Sequence, residues 1–536
     1  MLASAVNEFS DELDSAKESL RQEQFEDAIR VAVTLLGASI SDWQVWKVLA
    51  EGLLGKLALT EADEAIMTAL ELSPNNPEVL VVLGKIQRKQ GKIPESIETF
   101  RSVIALDETY VIAMREMHNS VLQLTRLETS ELVTETKKCI ALYESSIIDD
   151  PTRIDLYYSL SHLYISVGRS ADSVELLMQL NQILPECPIA KFNLAMGLKD
   201  DGQYDRALDI LKEIEAPDAD FAGKVGHSLA HLHITKMDFS RGWDAYECRW
   251  DDEHFPSKNL KELNSKIPSW DGQYVDHLLV WAEQGIGDEV MFASALEDAN
   301  QRCRRLTVAC DKRLIPVYQR SFSPDIDYLP KSASAISGAF NAQLPIGSLP
   351  RLFRRSAAEF PRWTAGYLSP NKSVVSKIRR NLCANGQEIV GISWFSNSIT
   401  HTRLMRNCGL KDLIEVIGPK NKVFVCLQYG PVERDIQRLE AETGIKILNP
   451  DDIDQTNDID NLCNMIASCD RVVSIDNATA HFGGALGVPT TVLLPTYLDW
   501  RWGSMDGKGS YWYPSLQFHH QQSPGKWPPL RDTLRT

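Results

Sequence analysis

The chain is 536 residues long, with 43% apolar and 24% charged residues and a formal net charge of −17. This length is too great for one hydrophobic core, so we expect roughly three or four domains. The acidic balance excludes a general nucleic-acid surface, because phosphate binding needs clustered Lys and Arg side chains.

The chain lacks the patterns of membrane-spanning and secreted proteins. No apolar run approaches the ~18 residues that cross a bilayer, and Met1–Leu20 is acidic and amphipathic, unlike a secretory signal. The ten Cys form no CxxC pair, which favours reduced, buried thiols over a disulfide framework. We therefore expect a cytoplasmic protein with no membrane span.

A 34-residue period runs through the first half of the chain. Small side chains recur five residues after and seven residues before the predicted helix–helix turns, as at Ala62 and Gly84. Small residues let two antiparallel helices approach closely, and stacked pairs then bury a shared core. One step is 43 residues rather than 34, which predicts a lengthened or irregular helical pair. The predicted turns fall at Glu23, Leu57, Gly91, Thr125, Gly168, Gly202 and Lys236.

This pattern resembles the tetratricopeptide repeat (TPR) family, with Trp46 at the family's aromatic position. The resemblance implies an α-helical TPR superhelix over residues 1–250 that binds a protein partner or acceptor on its concave face. A rigid spacer or a dimerisation arm is the alternative. In the last copy Trp243, Tyr246 and Trp250 recur at helical spacing, which favours packing against the next domain over binding of sugar.

From residue 277 the pattern changes to short apolar strands, each followed by a turn and a helix. Leu278–Trp281 is the first such strand, and a helix is expected over Glu289–Asn300. A second series begins at Glu388. Strand, turn and helix in succession predict parallel sheets with crossover helices. We expect a linker over residues 251–276, a short first lobe over 277–375 and a second lobe over 376–536.

The segment Asp476–Pro489 resembles the signature of heptosyltransferase-like glycosyltransferases of the GT-B type, in which Thr479 and His481 lead into a Gly/Ala-rich helix and a Gly-x-Pro turn. Further blocks agree in order, among them Gly285–Asp288 and Asp499–Trp502. The resemblance implies an α/β GT-B domain of two Rossmann-like lobes, the first one short. It also implies metal-independent, inverting transfer of a sugar from a nucleotide-sugar donor. With the repeats in front, the layout is similar to O-GlcNAc-transferase-type enzymes and flagellin glycosyltransferases.

Candidate donor-binding residues follow from these blocks. Gly285 and Gly287 permit close approach of the backbone to a ligand. The helix after Asp476 presents backbone N–H groups to a diphosphate, and Thr479 adds a hydroxyl unless it only caps the helix. His481 reaches either the ligand or the protein core. The full set expected at the donor is Gly285, Gly287, Asn397, Arg403, Arg406, Gln428, Asp476, Thr479, Ala480 and His481.

The charged candidates carry alternatives of their own. Arg403 and Arg406 lie in a polar loop where relatives place a basic residue against phosphate, and the alternative is a solvated charge. Asn397 in the same loop holds phosphate or shapes the turn. Asp288 is expected to deprotonate the acceptor, unless it only caps the following helix. No metal or other cofactor is expected, because the Asp-x-Asp pattern within Asp451–Asp454 lies in a polar loop of a fold that resembles metal-independent enzymes.

The sequence thus supports two hypotheses of different classes. The first is a glycosyltransferase that moves a sugar from a nucleotide-sugar donor to an acceptor, preferably a protein, recruited by the repeats. The second is a non-catalytic TPR scaffold with a degenerate transferase domain. The first hypothesis requires Asp288, Arg406 and Thr479 to converge on one cleft that admits a diphosphate.

Overall fold

The computed structural model describes residues 2–22, 24–107, 110–123, 129–149, 151, 153–255, 257–258, 260–261, 266–331, 339–360, 365–382, 386–396, 403–430, 432–449, 454–503, 509–523 and 525–530. Two compact units form, one within residues 1–167 and the other within residues 168–536. In the described segments, no helix combines the length and the apolar character that crossing a membrane requires.

The first unit is a run of α-helices joined by short turns. Leu57 and Gly91 lie in two of these turns with φ of 60° and 79°, so the left-handed backbone returns after 34 residues as the sequence predicts. The helices are α1 Leu2–Arg21, α2 Phe25–Ala38, α3 Trp43–Gly55, α4 Leu59–Leu72, α5 Pro77–Lys89, α6 Ile93–Leu106, α7 Val111–Gln123, α8 Thr129–Asp149 and α9 Ile154–Ser166.

Small buried residues bring paired helices together in this unit. A Cβ atom added to Gly84 on α5 would lie 2.6 Å from the ring of Phe100 on α6, so the two helices pack more closely than any larger residue allows. Ala62 and Ser96, five residues after their turns, are fully buried. Helix α8 has 21 residues where α4 and α6 have 14, and this confirms the lengthened pair expected from the 43-residue step.

The second unit begins with five more helices of the same kind. They are α10 Ser170–Ile183, α11 Pro188–Asp200, α12 Tyr204–Lys212, α13 Ala219–Thr235 and α14 Phe239–Tyr246, followed by a 3-10 helix over Glu247–Trp250. Gly202 and Met237 have φ of 80° and 65° in the turns before α12 and α14. The second of these turns is centred one residue after the predicted Lys236. The N-terminal part of the chain is therefore a TPR-like α-helical array.

The first sheet of the second unit has four parallel strands in the order β3-β2-β1-β4. They are β1 Val275–Trp281, β2 Cys303–Cys310, β3 Ile326–Pro330 and β4 Ala342–Pro345. The connecting helices are α15 Ile286–Ala293, α16 Leu296–Asn300 and α17 Ile315–Ser321, and α18 Leu349–Phe353 and α19 Lys372–Leu382 follow the sheet.

The helix expected over Glu289–Asn300 differs in the structure. It starts earlier, at Ile286, and is interrupted between α15 and α16. The amides of Ser294 and Ala295 bond three residues back, to Met291 and Phe292, so the α-helical pattern tightens into a turn at this point.

The second sheet has six parallel strands in the order β10-β9-β8-β5-β6-β7. Read from the β7 edge, with β5 taken as strand 1, the order is 3-2-1-4-5-6. The topological switch point of such a sheet lies between β5 and β8. The strands are β5 Glu388–Ser393, β6 Lys422–Cys426, β7 Ile447–Leu448, β8 Arg471–Ile475, β9 Thr490–Leu494 and β10 Leu516–His520. The helices are α20 Arg403–Arg406, α21 Leu410–Ile417, α22 Glu433–Thr443, α23 Ile459–Ile466 and α24 Ala478–Ala485.

Alternate residues of these strands enter two separate apolar cores. Val472 and Val492 join a cluster that also contains residues of the first sheet, whereas Val473 and Leu493 face α21 and α22. Both faces of the second sheet are therefore covered, as continuous apolar strands require.

The end of the helical array packs into the core of the second unit. Trp243 and Tyr246 are 1% exposed and belong to the cluster that joins both sheets. The indole N–H of Trp243 donates to the carbonyl of Arg354 at 2.9 Å. These contacts confirm that the aromatic residues of the last repeat pack against the following domain.

A buried ion pair fixes the same junction. Arg249, in the 3-10 helix, donates two parallel hydrogen bonds to Glu283 at 3.0 and 2.9 Å, and both side chains are fully buried. Glu283 lies two residues after the end of β1, in the loop before α15. The last repeat therefore holds the loop that leads into the predicted catalytic segment.

Candidate functional site

The start of α15, after β1, lies against the start of α24, after β8. A Cβ atom added to Gly287 would lie 2.9 Å from Cδ2 of His481 and 3.6 Å from Cα of Ala478. Gly287 is thus needed for a close approach of two helices, one from each sheet. Gly285, the N-cap residue of α15, has open space where its Cβ would be.

Asp288 does not cap α15 but pairs with an arginine from the second sheet region. Nε of Arg501 donates to one oxygen of Asp288 at 2.5 Å, and a terminal nitrogen of Arg501 donates to the other at 3.1 Å. The remaining terminal nitrogen of Arg501 reaches both oxygens of Asp499 at 3.1 and 3.3 Å. Burial opposes the charge on Arg501, but Asp288 and Asp499 outweigh it and raise the pKa of Arg501.

Arg406 and Asp476 meet at the switch point of the second sheet. Nε of Arg406 donates to the Asp476 carboxylate at 2.8 Å, and a terminal nitrogen donates to the Asp476 carbonyl at 2.6 Å. Burial raises the pKa of Asp476 to about 6 although Arg406 opposes the shift.

One charge network joins the two ion pairs. Burial disfavours the charged form of Arg406, but Asp476 and, more weakly, Asp499 favour it. The net effect raises the pKa of Arg406. Asp499 therefore lies within electrostatic reach of both arginines. Ion pairs thus join Asp288, Arg501 and Asp499 in one cluster and Arg406 and Asp476 in a second, and the attraction between Asp499 and Arg406 links the two. We call these three carboxylates and two guanidinium groups the charge network.

The Thr479 side chain is buried and hydrogen-bonded within the protein. Its hydroxyl donates to the carbonyl of Leu427 at 3.4 Å, and the residue is 2% exposed. Asn477, not Thr479, caps α24: its side-chain oxygen accepts from the amide of Thr479 at 3.0 Å. Ala480 is fully buried in the first turn of the same helix. Of the three residues expected to converge, only Asp288 and Arg406 belong to the charge network.

Gln428 holds the loop that follows β5. Its side-chain oxygen accepts from the Ser393 hydroxyl and from the amides of Trp394 and Phe395, at 2.9, 2.9 and 3.0 Å. Its side-chain nitrogen donates to the carbonyl of Tyr429 at 3.0 Å. The structure therefore gives this amide a loop-shaping position.

His481 lies in an aromatic environment one turn into α24. Nδ1 of His481 is 2.9 Å from the Tyr513 hydroxyl, and the ring packs against Trp502. Burial lowers the pKa of His481 to about 4, so the imidazole is neutral at pH 7. The packing alternative from the sequence agrees with these contacts.

Two predicted donor-binding residues lie wholly or partly outside the described part of the chain. Asn397 lies outside the described residues. Arg403 begins the short helix α20, and its side chain is outside the described part of the chain. Their roles at a donor stay predictions.

Sequence reasoning missed Arg501 and its partner Asp499. The block Asp499–Trp502 agrees in order with the resembled family, and the structure buries its Trp500 and Trp502. The available signal was an arginine between two tryptophans, because tryptophan side chains are mostly buried and a cation held between them requires a partner.

Other chemically notable features lie apart from the network. A cavity of about 800 Å³ is lined by His277, Arg305, Thr307 and Tyr328 on the first sheet, and none of its lining residues belongs to the network. Among the described residues, Asp220, Asp252 and His254 are close enough to form a potential metal site. Lys224 already binds Asp220 at 2.6 Å.

The structure thus defines a TPR-like helical-repeat protein with a C-terminal region of parallel sheets. No protein-family model matches the chain. The chain is similar to Protein FlbA of Caulobacter vibrioides, at 25% identity over 98% of this chain and 89% of that protein. Among solved structures, a thermophilic TPR protein of Thermus thermophilus is 19% identical and covers 35% of this chain and 99% of its own, with a TM-score of 0.29. A tetratricopeptide repeat protein from Parabacteroides merdae is 11% identical over 47% of this chain and 96% of its own, with a TM-score of 0.35.

Proposed function

We propose that the chain is a GT-B glycosyltransferase that transfers a sugar from a nucleotide-sugar donor. The main support is the position of Arg406 and Asp476 at the switch point of a sheet with the order 3-2-1-4-5-6, where α/β proteins bind nucleotide ligands. The start of α15 faces this point from the first sheet. The carboxyl ends of the strands of both sheets meet at the charge network, and a ligand site between two lobes would lie at such a place.

In this proposal Arg406 holds the diphosphate of the donor. A guanidinium binds phosphate through paired N–H donors, and its charge stabilises the diphosphate as it leaves. Asp288 accepts the proton of the acceptor hydroxyl from the first lobe. The proposed displacement is a single step with inversion, without metal, by resemblance to the enzyme family.

Titration of nucleoside diphosphates by calorimetry tests the donor site. We expect at least one of UDP, GDP, ADP and CDP to bind the wild type, and Arg406→Gln to weaken that binding by more than about tenfold, as loss of a charged hydrogen bond implies. Arg21→Gln is the control, because Arg21 is 73% exposed and lies in the first unit. Equal loss in both variants would contradict a role for Arg406 in the site.

We further propose that the acceptor is a protein recruited by the helical array. Stacked helical pairs offer an extended surface that suits polypeptide partners. A donor with a radiolabelled sugar, incubated with the full chain and a cell extract, should label protein bands, and Asp288→Asn should abolish the labelling. Label found only in glycan or lipid fractions would exclude a protein acceptor.

A non-catalytic scaffold is the second candidate. It is favoured by the internal use of the Thr479 hydroxyl and the Gln428 amide, and by the pairing of both Asp288 oxygens with Arg501. A folded wild-type protein that neither binds any nucleoside diphosphate nor releases nucleotide from any donor would establish this candidate over the enzyme.

A further inference from the structure

The pairing of Asp288 with Arg501 limits what each group can do. Both oxygens of Asp288 accept from Arg501, at 2.5 and 3.1 Å, so the carboxylate has no oxygen that is clear of a cation. The other end of the Arg501 guanidinium is bound to Asp499. In this arrangement the proposed base is neutralised, and the Arg501 guanidinium is bound to a carboxylate on each side.

The charge balance of the network opposes a second anion. Three carboxylates pair with two guanidinium groups, so these five residues carry a formal charge of about −1 at neutral pH. Lys199 also lies within electrostatic reach of Asp499, but it pairs with Asp200 at 3.2 Å and leaves this balance unchanged. A diphosphate that entered without any rearrangement would place several negative charges next to these carboxylates. An anionic ligand therefore competes with these carboxylates for the two guanidinium groups.

The Asp288–Arg501 pair is the contact best suited to break. Arg501 is 26% exposed and Asp288 13% exposed, whereas the Asp476 carboxylate is 4% exposed. Arg501 lies in the 3-10 helix Trp500–Trp502 of the second sheet region, and Asp288 lies on α15 of the first. Asp499 lies two residues before Arg501, so that contact is local, whereas the contact between Asp288 and Arg501 joins segments 213 residues apart.

We propose that the diphosphate of the donor displaces Asp288 from Arg501, so that donor binding releases Asp288 to act as a base. This inference rests on the proposed function. Arg501 is then a second phosphate-binding cation beside Arg406, and it links the filling of the donor site to the state of the acceptor side. The acceptor's proton has a free carboxylate to enter only after the donor has bound.

The test compares the binding of UDP, GDP, ADP, CDP and inorganic pyrophosphate to the full-length wild type and variants by calorimetry. Asp288→Asn removes the competing carboxylate, so the best ligand should bind roughly tenfold more tightly or better. Arg501→Gln should weaken binding by a similar factor. In the double variant the gain from Asp288→Asn should vanish, because the competition acts through Arg501.

Asp276→Asn is the matched control. Asp276 lies on β1, the strand that precedes α15. It is 60% exposed and pairs with Arg304, which is outside the charge network. Its removal changes the net charge equally and should leave affinity within about twofold, since exposed pairs contribute little. Thermal unfolding of each variant checks that the second unit is folded.

The outcomes separate the two proposals. The displacement of Asp288 from Arg501 by the diphosphate is called the exchange here. Tighter binding in the single variant Asp288→Asn, with the gain lost in the double variant, supports this exchange. If wild type binds a diphosphate and Asp288→Asn binds it equally or more weakly, the exchange is wrong and the donor site stands. If no folded variant and no wild type binds any of the probes, the donor site fails and the exchange fails with it.

Discussion

The buried pair of Arg249 and Glu283 should control the stability of the second unit. Replacement of Glu283 by Gln leaves a guanidinium buried without its counter-charge. Removing one partner of a buried ion pair destabilises proteins by about 3–5 kcal/mol. Glu247 also contacts Arg249, at 2.9 Å, and compensates in part, so we expect about 3 kcal/mol.

Urea unfolding followed by tryptophan fluorescence measures this loss. The Trp250 ring lies 4.5 Å from the Arg249 guanidinium and reports on its surroundings. Glu440→Gln is a matched control, because Glu440 is 47% exposed and should change the free energy of unfolding by less than about 0.5 kcal/mol. The double variant Arg249→Met with Glu283→Leu should be more stable than Glu283→Gln, because no uncompensated charge stays buried. A loss below about 1 kcal/mol in Glu283→Gln, or a less stable double variant, would refute this reasoning.

Three further changes test packing and pH dependence. Gly287→Ser places a Cβ 2.9 Å from His481 and should destabilise the second unit by about 1–3 kcal/mol in urea unfolding. Gly84→Ala places a Cβ 2.6 Å from Phe100, and the clash should exceed the gain of about 1 kcal/mol in helix propensity and lower the melting temperature. His481 has its pKa lowered to about 4 by burial, so the stability it contributes is complete above pH 6.5 and is lost as pH falls toward 4. His481→Gln should therefore reduce the loss of unfolding free energy between pH 7 and pH 4.5, by up to about 3 kcal/mol.

Each of these changes has a control or a contrary result. Gly285→Ser introduces the same side chain at an open N-cap position and should change stability by less than about 0.5 kcal/mol. Gly37→Ala, with nothing near its added Cβ, should stabilise the first unit by about 0.5–1 kcal/mol. Equal effects of Gly287→Ser and Gly285→Ser would contradict the packing argument. Equal effects of Gly84→Ala and Gly37→Ala would contradict it as well. An unchanged pH dependence in His481→Gln would show that other groups dominate that range.

The repeat and the strands were predictable because their causes are local. A left-handed turn needs glycine or a tolerated substitute, and Gly91, Gly168 and Gly202 mark three of the turns with φ of 79° to 80°. The strands were predictable as short apolar runs, and the predicted Leu278–Trp281 ends at the same residue as β1, which begins three residues earlier at Val275. The interruption after α15 was not predictable, because Ser294 and Ala295 are not helix breakers and the tertiary surroundings set the turn.

The candidate site was less accessible to sequence reasoning because its contacts are distant in the chain. Asp288 was singled out, but its partner Arg501 lies 213 residues away. No local spacing relates the two. Likewise, the residue type of Thr479 or Gln428 is compatible both with binding a ligand and with bonding inside the protein. Only the atoms that surround them separate those roles.

The burial of Trp243 has a consequence for biosynthesis. Its ring contacts Phe292, Trp500 and Trp512, the last of which follows it by about 270 residues. At about 5–20 residues per second, a ribosome needs roughly 15–55 s to complete that stretch. Throughout this interval the final helical pair exposes an aromatic face that only the finished sheets can cover. We expect a nascent chain stalled between these points to bind holdase chaperones, and the completed chain to release them.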